Sequence, residues 1–381
     1  MPILEIEIDR NGADFVANQQ AMLKQIDEVA AIKQKVLERS LQEKPKFVKR
    51  GKMLPHERVQ HLLDAGSPFV ELCGLAGYML HDDKDGTEAG GNMIAGIGVI
   101  NGVRCLVGAS NSAIKGGTIS PSGLRKSLRL QQIAKQNKLP MVMLAESGGA
   151  NLNYAADIFV EGARSFANQA RLSAMGLPQV TVVHGNATAG GAYQPGLSDY
   201  MVVVRNKTAM FLAGPPLLKA ATGEVATEEE LGGAAMHAQV AGTAEYLAEN
   251  DADGIRQARD IVGMLGWDKI ANTATYAEPR FPIDDILGLI PCDLRKPYDV
   301  RSIIACLVDD SNFLDFKTEF DNQTVCGWAS IGDVTIGIIG NNGPITPQGA
   351  AKASQFIQLC DQTGRPLLFL HNTTGFMVGT E

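Results

Sequence analysis

Residues 119–150 and 345–376 carry the same pattern twice, and a chain that repeats itself in this way must fold the two spans alike. Aligned without a gap, Ile119, Pro121, Gly123, Lys126, Gln132, Pro140, Leu144 and Gly149 fall on Ile345, Pro347, Gly349, Lys352, Gln358, Pro366, Leu370 and Gly375. Ser120-Pro121 and Thr346-Pro347 each join an N-cap hydroxyl to a proline at the first helical position, where the missing N–H is no loss. A helix, a proline-led apolar strand and a glycine turn come next in both copies. Two tandem α/β domains are therefore expected, at residues 1–290 and 291–381. The second copy is followed by only five residues, so the chain is expected to end inside its second domain.

Further elements support that class. Apolar residues at helical spacing predict a surface helix over about Ala17 to Leu41. Pro55 and Gly66 bracket a second helix. Strand-like runs occur at Met93–Ile100, Val103–Gly108, Met141–Ala145, Val180–His184, Tyr200–Val204 and Met210–Ala213, with helical patterns between several of them.

A net charge of −8 without a long basic stripe argues against a nucleic-acid partner. No apolar run reaches membrane-spanning length. Met1–Arg10 lacks the features of a secretion or import signal, which points to the cytoplasm. The six cysteines form no C-x-x-C pair and are expected to be reduced and mostly buried. No metal-ligand spacing is present.

Glycine is enriched, at 41 of 381 residues, and clusters at strand ends. Ser147-Gly148-Gly149 and Gly190-Gly191-Ala192 each follow an apolar strand, where backbone N–H groups can approach an oxyanion with no Cβ in the way. Tight turns without chemistry explain either motif alone equally well. Lys115, Arg125, Lys126 and Arg129 gather on a glycine-rich loop and the helix after it, as a phosphate site or as a solvated helix face. His184, flanked by β-branched residues and a glycine, reads as a packed histidine, and Glu146, Asp157, Glu161 and Asp199 as structural partners.

The strings RGKMLPHERVQHLLDAGSPFVEL, KGGTISPSGLRKSLRLQQIA, ESGGANL, TAGGAYQPGLSD, FLAGPPLLKAATGE, EELGGAAMHAQVAG, GIIGNNG and NTTGFMVGTE resemble, in order and spacing, the carboxyltransferase β subunits of biotin-dependent acyl-CoA carboxylases, those for geranyl-CoA and methylcrotonyl-CoA above all. The resemblance implies tandem crotonase-like β-β-α superhelix domains, the second incomplete, the first binding acyl-CoA and the second biotin. It assigns the Gly190 and Gly191 amides to the thioester oxygen, and the acyl group to Ser147, Gly148, Gly149, Gly162 and Ala192. Lys115, Arg125, Lys126 and Arg129 would take the CoA phosphates, with Gly375 and Phe376 on the biotin side. A second amide pair, for the biotin ureido oxygen, is expected beyond Glu381, so the isolated chain is expected to be inactive. Glu146 stands where the family more often has Asp.

No Met-Lys-Met string or G-x-x-x-x-G-K-[ST] loop occurs, so biotin and its ATP-dependent carboxylation are expected on a partner α subunit, with β dimers inside a six-plus-six assembly. Relatives that use methylcrotonyl-CoA carry phenylalanine where this chain has Gly162, which favours a longer, geranyl-like acyl chain. Open alternatives are a methylcrotonyl-CoA carboxylase β subunit, a sodium-pumping decarboxylase subunit, a crotonase-type hydratase and a non-catalytic acyl-CoA-binding or assembly fragment.

Overall fold

Ile100-Asn101-Gly102-Val103 encodes a two-residue hairpin, because both central residues of a type I′ turn take positive φ and Asn-Gly does so most readily. The computed structural model describes residues 1–269, 276–293, 295–373 and 375–379. In it Asn101 has φ 50° and Gly102 φ 77°. The hairpin belongs to an eight-stranded sheet in the order β1 (Val70–Glu71), β2 (Met93–Ile100), β3 (Val103–Ser110), β4 (Met141–Ser147), β5 (Gln179–Thr188), β6 (Tyr200–Val204), β8 (Tyr246–Ala248), with β7 (Ala209–Phe211) paired to β5. The β1–β2 and β2–β3 pairs are antiparallel and the others parallel.

A four-stranded sheet, β12 (Leu367–Leu370), β11 (Val334–Asn341), β10 (Thr324–Ile331), β9 (Leu314–Asp315), repeats this plan. Its hairpin turns through Gly332 and Asp333, at φ 59° and 64°. In the first hairpin the Asp64 carboxylate accepts both turn N–H groups at 2.8 Å, and in the second Asp309 accepts them at 2.9 and 2.8 Å. The duplication thus reaches back beyond the two spans legible in the sequence.

From each hairpin a helix leads to a strand parallel to the one before it: Pro121–Asn137 before β4, and Pro347–Gln362 before β12. Ser120 Oγ accepts from Gly123 N–H at 3.1 Å, and Thr346 Oγ1 from Gly349 N–H at 2.8 Å. Lys126 and Lys352 are both buried and donate to backbone carbonyls, Lys126 to Gly90 and Met93, Lys352 to Asp321. Each copy closes on a parallel bridge, Ile119 to Ala150 and Ile345 to Phe376.

Both faces of the larger sheet are covered, which is why its parallel strands read as unbroken apolar runs. Val107, Val142, Val180, Val182 and Val202 pack with Ile255, Ala258, Ile261 and Val262 of the Asp251–Met264 helix. The alternate residues Leu106 and Met141 pack with Leu130 and Ala134 of the Pro121–Asn137 helix and Leu172 of the Ala155–Ala174 helix. Each fully buried valine or leucine contributes about 1.5–3 kcal/mol. In the smaller sheet Val325 and Ile338 face one cluster, Cys326 and Ile339 the other, against Phe356. All six cysteines are free and four are buried, burial pushing the Cys105 and Cys326 thiols up to about 12.

Contacts group the described chain into Ala30–Ile270 and, separately, Met1–Val29 with Ala271–Glu381. The N-terminal residues were expected to belong with the domain that follows them in sequence. They pack instead on the C-terminal unit: Arg10 Nη2 lies 2.7 Å from Asp285 Oδ2, Ile3 bridges Asn312, and Leu4 packs against the cluster around Ile304 and Phe313. The helix predicted from Ala17 begins earlier, at Ala13, and runs to Leu41.

The close approach of the Pro121–Asn137 helix to the Gly90-Gly91 loop needs glycine at position 123, where a Cβ would collide with the Gly91 carbonyl oxygen. Gly123→Ala is expected to cost about 1–3 kcal/mol by overpacking, read from urea denaturation midpoints. An unchanged midpoint would show that the loop yields freely.

Candidate functional site

Strand β5 does not run straight. Its parallel register with β4 holds from Met141 opposite Gln179 to Ala145 opposite Val183, then resumes with Ser147 opposite Ala187. One residue of β4, Glu146, therefore faces three of β5, His184, Gly185 and Asn186. Before this bulge β5 pairs with β6 through Val180–Val183, and after it with β7 through Asn186–Thr188. A bulge bends a strand and re-aims the residues beyond it. Here those residues lead into Ala189, Gly190 and Gly191.

Buried charges fill the bend. Glu146 Oε1 lies 2.6 Å from Lys52 Nζ, and its Oε2 lies 2.6 Å from Arg58 Nη1 and 2.9 Å from Ser112 Oγ. Arg58 Nε donates to Asp251 Oδ2 at 3.0 Å, which also accepts the Met53 N–H at 2.8 Å. His184 Nδ1 is 3.0 Å from Asp251 Oδ1. Arg58 thus bridges two carboxylates from different elements, a geometry suited to its planar fork. Gly185 lets them meet, because a Cβ there would sit 2.6 Å from both Glu146 Oε1 and Lys52 Nζ and one of them would have to shift.

Burial works against the Glu146 charge, but Arg58 and Lys52 outweigh it and hold the carboxyl below the usual range. Burial likewise opposes ionised Asp251, yet the hydrogen bonds from His184 and Met53 and the Arg58 guanidinium hold it well below the usual range. His184 is pushed down, first by burial and then by Arg58, against the pull of Asp251. It is therefore neutral, with its Nδ1–H donated to Asp251. Two cations and two carboxylates balance, and none of the five groups lines the apolar hollow beside Gly190.

Local chain geometry sets the two glycine turns side by side. Ala189, at φ 53° and ψ −120°, is a non-glycine residue in a costly conformation, and its N–H is held by the Phe211 carbonyl at 3.0 Å. The Gly190–Gly196 helix starts immediately after it. A Cβ on Gly191 would sit 3.6 Å from Ser147 Cβ, and one on Gly149 would sit 3.1 Å from the Thr188 carbonyl oxygen. The Gly148 N–H is spent on the Gly116 carbonyl and the Gly149 N–H on Ser147 Oγ, both at 3.1 Å. Among the described residues nothing accepts from Gly190 or Gly191 N–H, as the first turn of a helix dictates. Of the two motifs, only Gly190-Gly191 has amides to offer.

Beside this helix lies an apolar hollow of about 240 Å³, lined by Ala192, Tyr193, Leu197, Met210, Phe211 and Leu212 among others. The Tyr193 ring packs at 5.0 Å on Phe166, and Phe166 lies one helical turn from Gly162 on the same face. Gly162 does not line the hollow. A Cβ at Gly162 would meet nothing within 4 Å.

The four residues expected at the CoA phosphates divide. Arg125 and Arg129 line a groove of about 690 Å³ with Lys135, Arg164 and Arg171. Lys126 does not fit that expectation, because its ammonium is buried against Gly90 and Met93 carbonyls and burial lowers its pKa to about 8. Lys115 pairs with Glu88 and lies 3.7 Å from Asp82, so its charge is already matched. On the C-terminal unit, Gly375 N–H is spent on Thr373 Oγ1 at 3.1 Å, as its counterpart Gly149 is on Ser147, while Phe376 is 75% exposed. Among the described residues no group of three His, Cys, Asp or Glu could hold a metal, and no helix is long and apolar enough to cross a membrane.

Lys52, Arg58, Ser112 and Asp251 escaped the sequence reading. Arg58 lies in the first helical string that carried the resemblance, and a charged residue between the buried-side positions Pro55, Val59 and Leu62 of that helix is the signal that could have found it.

Residues 46–381 match the family model described as the carboxyl transferase domain. The chain is 43% identical over 386 residues to the mitochondrial methylcrotonoyl-CoA carboxylase beta chain of Dictyostelium discoideum, covering 99% of this chain and 65% of that one. It is 42% identical over 385 residues to a probable biotin-dependent acyl-coenzyme A carboxylase beta2 subunit of Mycobacterium tuberculosis, covering 100% of this chain and 71% of that one. The crystal structure of the P. aeruginosa geranyl-CoA carboxylase beta subunit superposes with a TM-score of 0.93 at 66% identity, covering 100% of this chain and 72% of that one. The chain thus spans about two thirds of the length of these relatives.

His184 gives the buried charges a pH signature. Its folded pKa lies below its ordinary value of 6.5, so the unfolded chain binds the extra proton and stability falls as pH drops below about 6.5. One such proton is worth up to about 1.4 kcal/mol per pH unit. His184→Asn keeps an N–H for Asp251 but cannot titrate, so its stability between about pH 6.5 and 5 should decline less steeply than that of the parent protein. Equal slopes in denaturation at both pH values would contradict a buried neutral His184.

Proposed function

We propose that this chain, which belongs to the carboxyl transferase domain family, is the carboxyltransferase β subunit of a biotin-dependent acyl-CoA carboxylase that moves CO2 from carboxybiotin to the γ-carbon of a branched α,β-unsaturated acyl-CoA. The observation that carries the reading is the unspent amide pair of Gly190 and Gly191, beside an apolar hollow and within a unit of the family's crotonase-like fold. Removing a γ-proton delocalises charge onto the thioester oxygen. Two fixed N–H donors aimed at that oxygen stabilise the charge without reorganising at the moment of reaction.

Carboxybiotin, carried by a partner α subunit, supplies the CO2 and a ureido oxygen able to take the substrate proton. That division of labour agrees with the lining of the hollow, which includes none of the five charged and titratable groups at the bend. The chain's own task is to hold, orient and shield the acyl-CoA. Arg125 and Arg129, with the other cations of their groove, would face the CoA phosphates, and Ala192 and the hollow would take the acyl portion. Ser147, Gly148 and Gly149 build the wall against which Gly191 stands. On the C-terminal unit the exposed Phe376 ring offers biotin an apolar face, whereas the Gly375 amide is committed to Thr373, so no step is assigned to it. Self-association of β subunits, up to a six-plus-six assembly with the α partner, belongs to the same reading.

Geranyl-CoA is the favoured substrate, with methylcrotonyl-CoA the alternative. A glycine inside a helix costs about 1 kcal/mol relative to alanine, and nothing within 4 Å of Gly162 calls for one on packing grounds. Gly162 lies one helical turn from Phe166, whose ring packs on Tyr193 at the hollow, so the open space beside it would serve as an extension for a longer acyl chain. Five further carbons, at roughly 0.8 kcal/mol per buried CH2, would add up to about 3–4 kcal/mol of binding.

Two substitutions test these assignments in the assembled holoenzyme. Gly191→Val should lower carboxylation by about 10²–10³-fold, the loss that accompanies removal of one oxyanion donor, with the melting temperature nearly unchanged. Wild-type turnover by the folded variant would remove the amide pair from the mechanism. Gly162→Phe should selectively abolish use of geranyl-CoA while methylcrotonyl-CoA turnover persists. Parallel loss of both activities, or of thermal stability, would mark Gly162 as a packing residue and withdraw the geranyl-CoA assignment.

A further inference from the structure

The bend in β5 poses a problem of aim. Beyond the bulge only Asn186–Thr188 separate the strand from Ala189 and the Gly190-Gly191 amides, so a small rotation at the bulge displaces those amides directly. Four groups from outside β5 converge on the bulge: Lys52 and Arg58, Glu146 of β4, and Asp251 at the first position of its helix. His184 joins them from β5 itself. Arg58 alone reaches both carboxylates, and it is one of the largest side chains to be fully buried.

As a device for stability this arrangement is poor. Buried ion pairs seldom outperform apolar packing of the same volume. Arg58 Nη2 and His184 Nε2 are moreover buried without a hydrogen-bond partner among the described residues, which makes the cluster costlier still. As a device for direction it is good, because a planar guanidinium held by two carboxylates has one orientation. The Glu146 carboxylate then fixes the end of β4, from which Ser147 and Gly149 form the wall beside Gly191.

We propose that Arg58 is a positioning residue for carboxyl transfer: by bridging Glu146 and Asp251 at the β5 bulge, it sets where the Gly190 and Gly191 amides stand relative to the Ser147–Gly149 turn. The inference rests on the reading of that amide pair as the thioester-oxygen site. Arg58 touches no substrate, and its effect is on geometry at the transition state more than on binding of the CoA portion. Misplacement of a catalytic group by about 1 Å costs roughly 10²-fold in rate.

Two variants of the holoenzyme test it. Arg58→Lys keeps the charge but can reach only one carboxylate. Gly185→Ala keeps every charge and instead forces apart Glu146 and Lys52, which leave no room for a Cβ, so it carries the test alone should Arg58→Lys not fold. Both are expected to lose roughly 10²-fold in kcat per folded enzyme while KM for the acyl-CoA stays near that of the parent protein, although disturbing the buried charges lowers the melting temperature. Normal kcat in either folded variant, or a fall in kcat that only tracks loss of folded protein, would overturn the proposal. Gly191→Val separates the two levels of the account. If it is impaired while the bulge variants are not, positioning by Arg58 fails alone; if it too is fully active, the amide-pair reading fails and takes the proposal with it.

Discussion

The Arg58 bridge between Glu146 and Asp251 is the interaction on which the candidate site depends. It sits where β5 leaves β6 for β7, at a bulge that sets three residues against one. The proposed thioester-oxygen site lies directly downstream: the strained Ala189, the two open amides and the short helix that walls the apolar hollow. Gly185 shows how tightly the charges are fitted, since a single methyl group at that position would have to displace Glu146 or Lys52. The reading of Glu146 as a structural partner agrees with this picture, since its carboxylate is buried and accepts from Lys52, Arg58 and Ser112.

Much of the fold was legible because it obeys local rules. The two copies of an N-cap, Pro, helix, strand and glycine turn appear at the expected residues, and strands Met93–Ile100 and Tyr200–Val204 end where they were expected to. Hairpin turns at Asn101-Gly102 and Gly332-Asp333, each tied down by an aspartate, extend the duplication into residues whose sequences have diverged. The two hairpins share geometry, positive φ and a carboxylate, and no identity scan registers that.

The site was legible only in part. Gly190 and Gly191 stand out as backbone chemistry, and the structure distinguishes them from Gly148 and Gly149 by where each N–H is spent. Lys126 departs from expectation because a lysine on a polar helix looks solvated; its burial depends on the Gly90-Gly91 loop 36 residues away in sequence. The recurrence of the same lysine at 352, also buried, is the one feature of the sequence that points to structure rather than phosphate binding. The charges at the bend come from positions 52, 58, 146, 184 and 251, and contacts separated that widely leave no trace in local pattern.

Membership of the carboxyl transferase family says what kind of reaction this architecture supports, and the amide pair says where on this chain the developing charge would rest. A structure of the assembled enzyme with an unreactive acyl-CoA analogue bound would test that link most directly. The account predicts the thioester oxygen within about 3 Å of the Gly190 and Gly191 nitrogens, the distance of a normal N–H···O hydrogen bond. A bound analogue whose thioester oxygen is held by other donors, with both amides still unpaired, would contradict it.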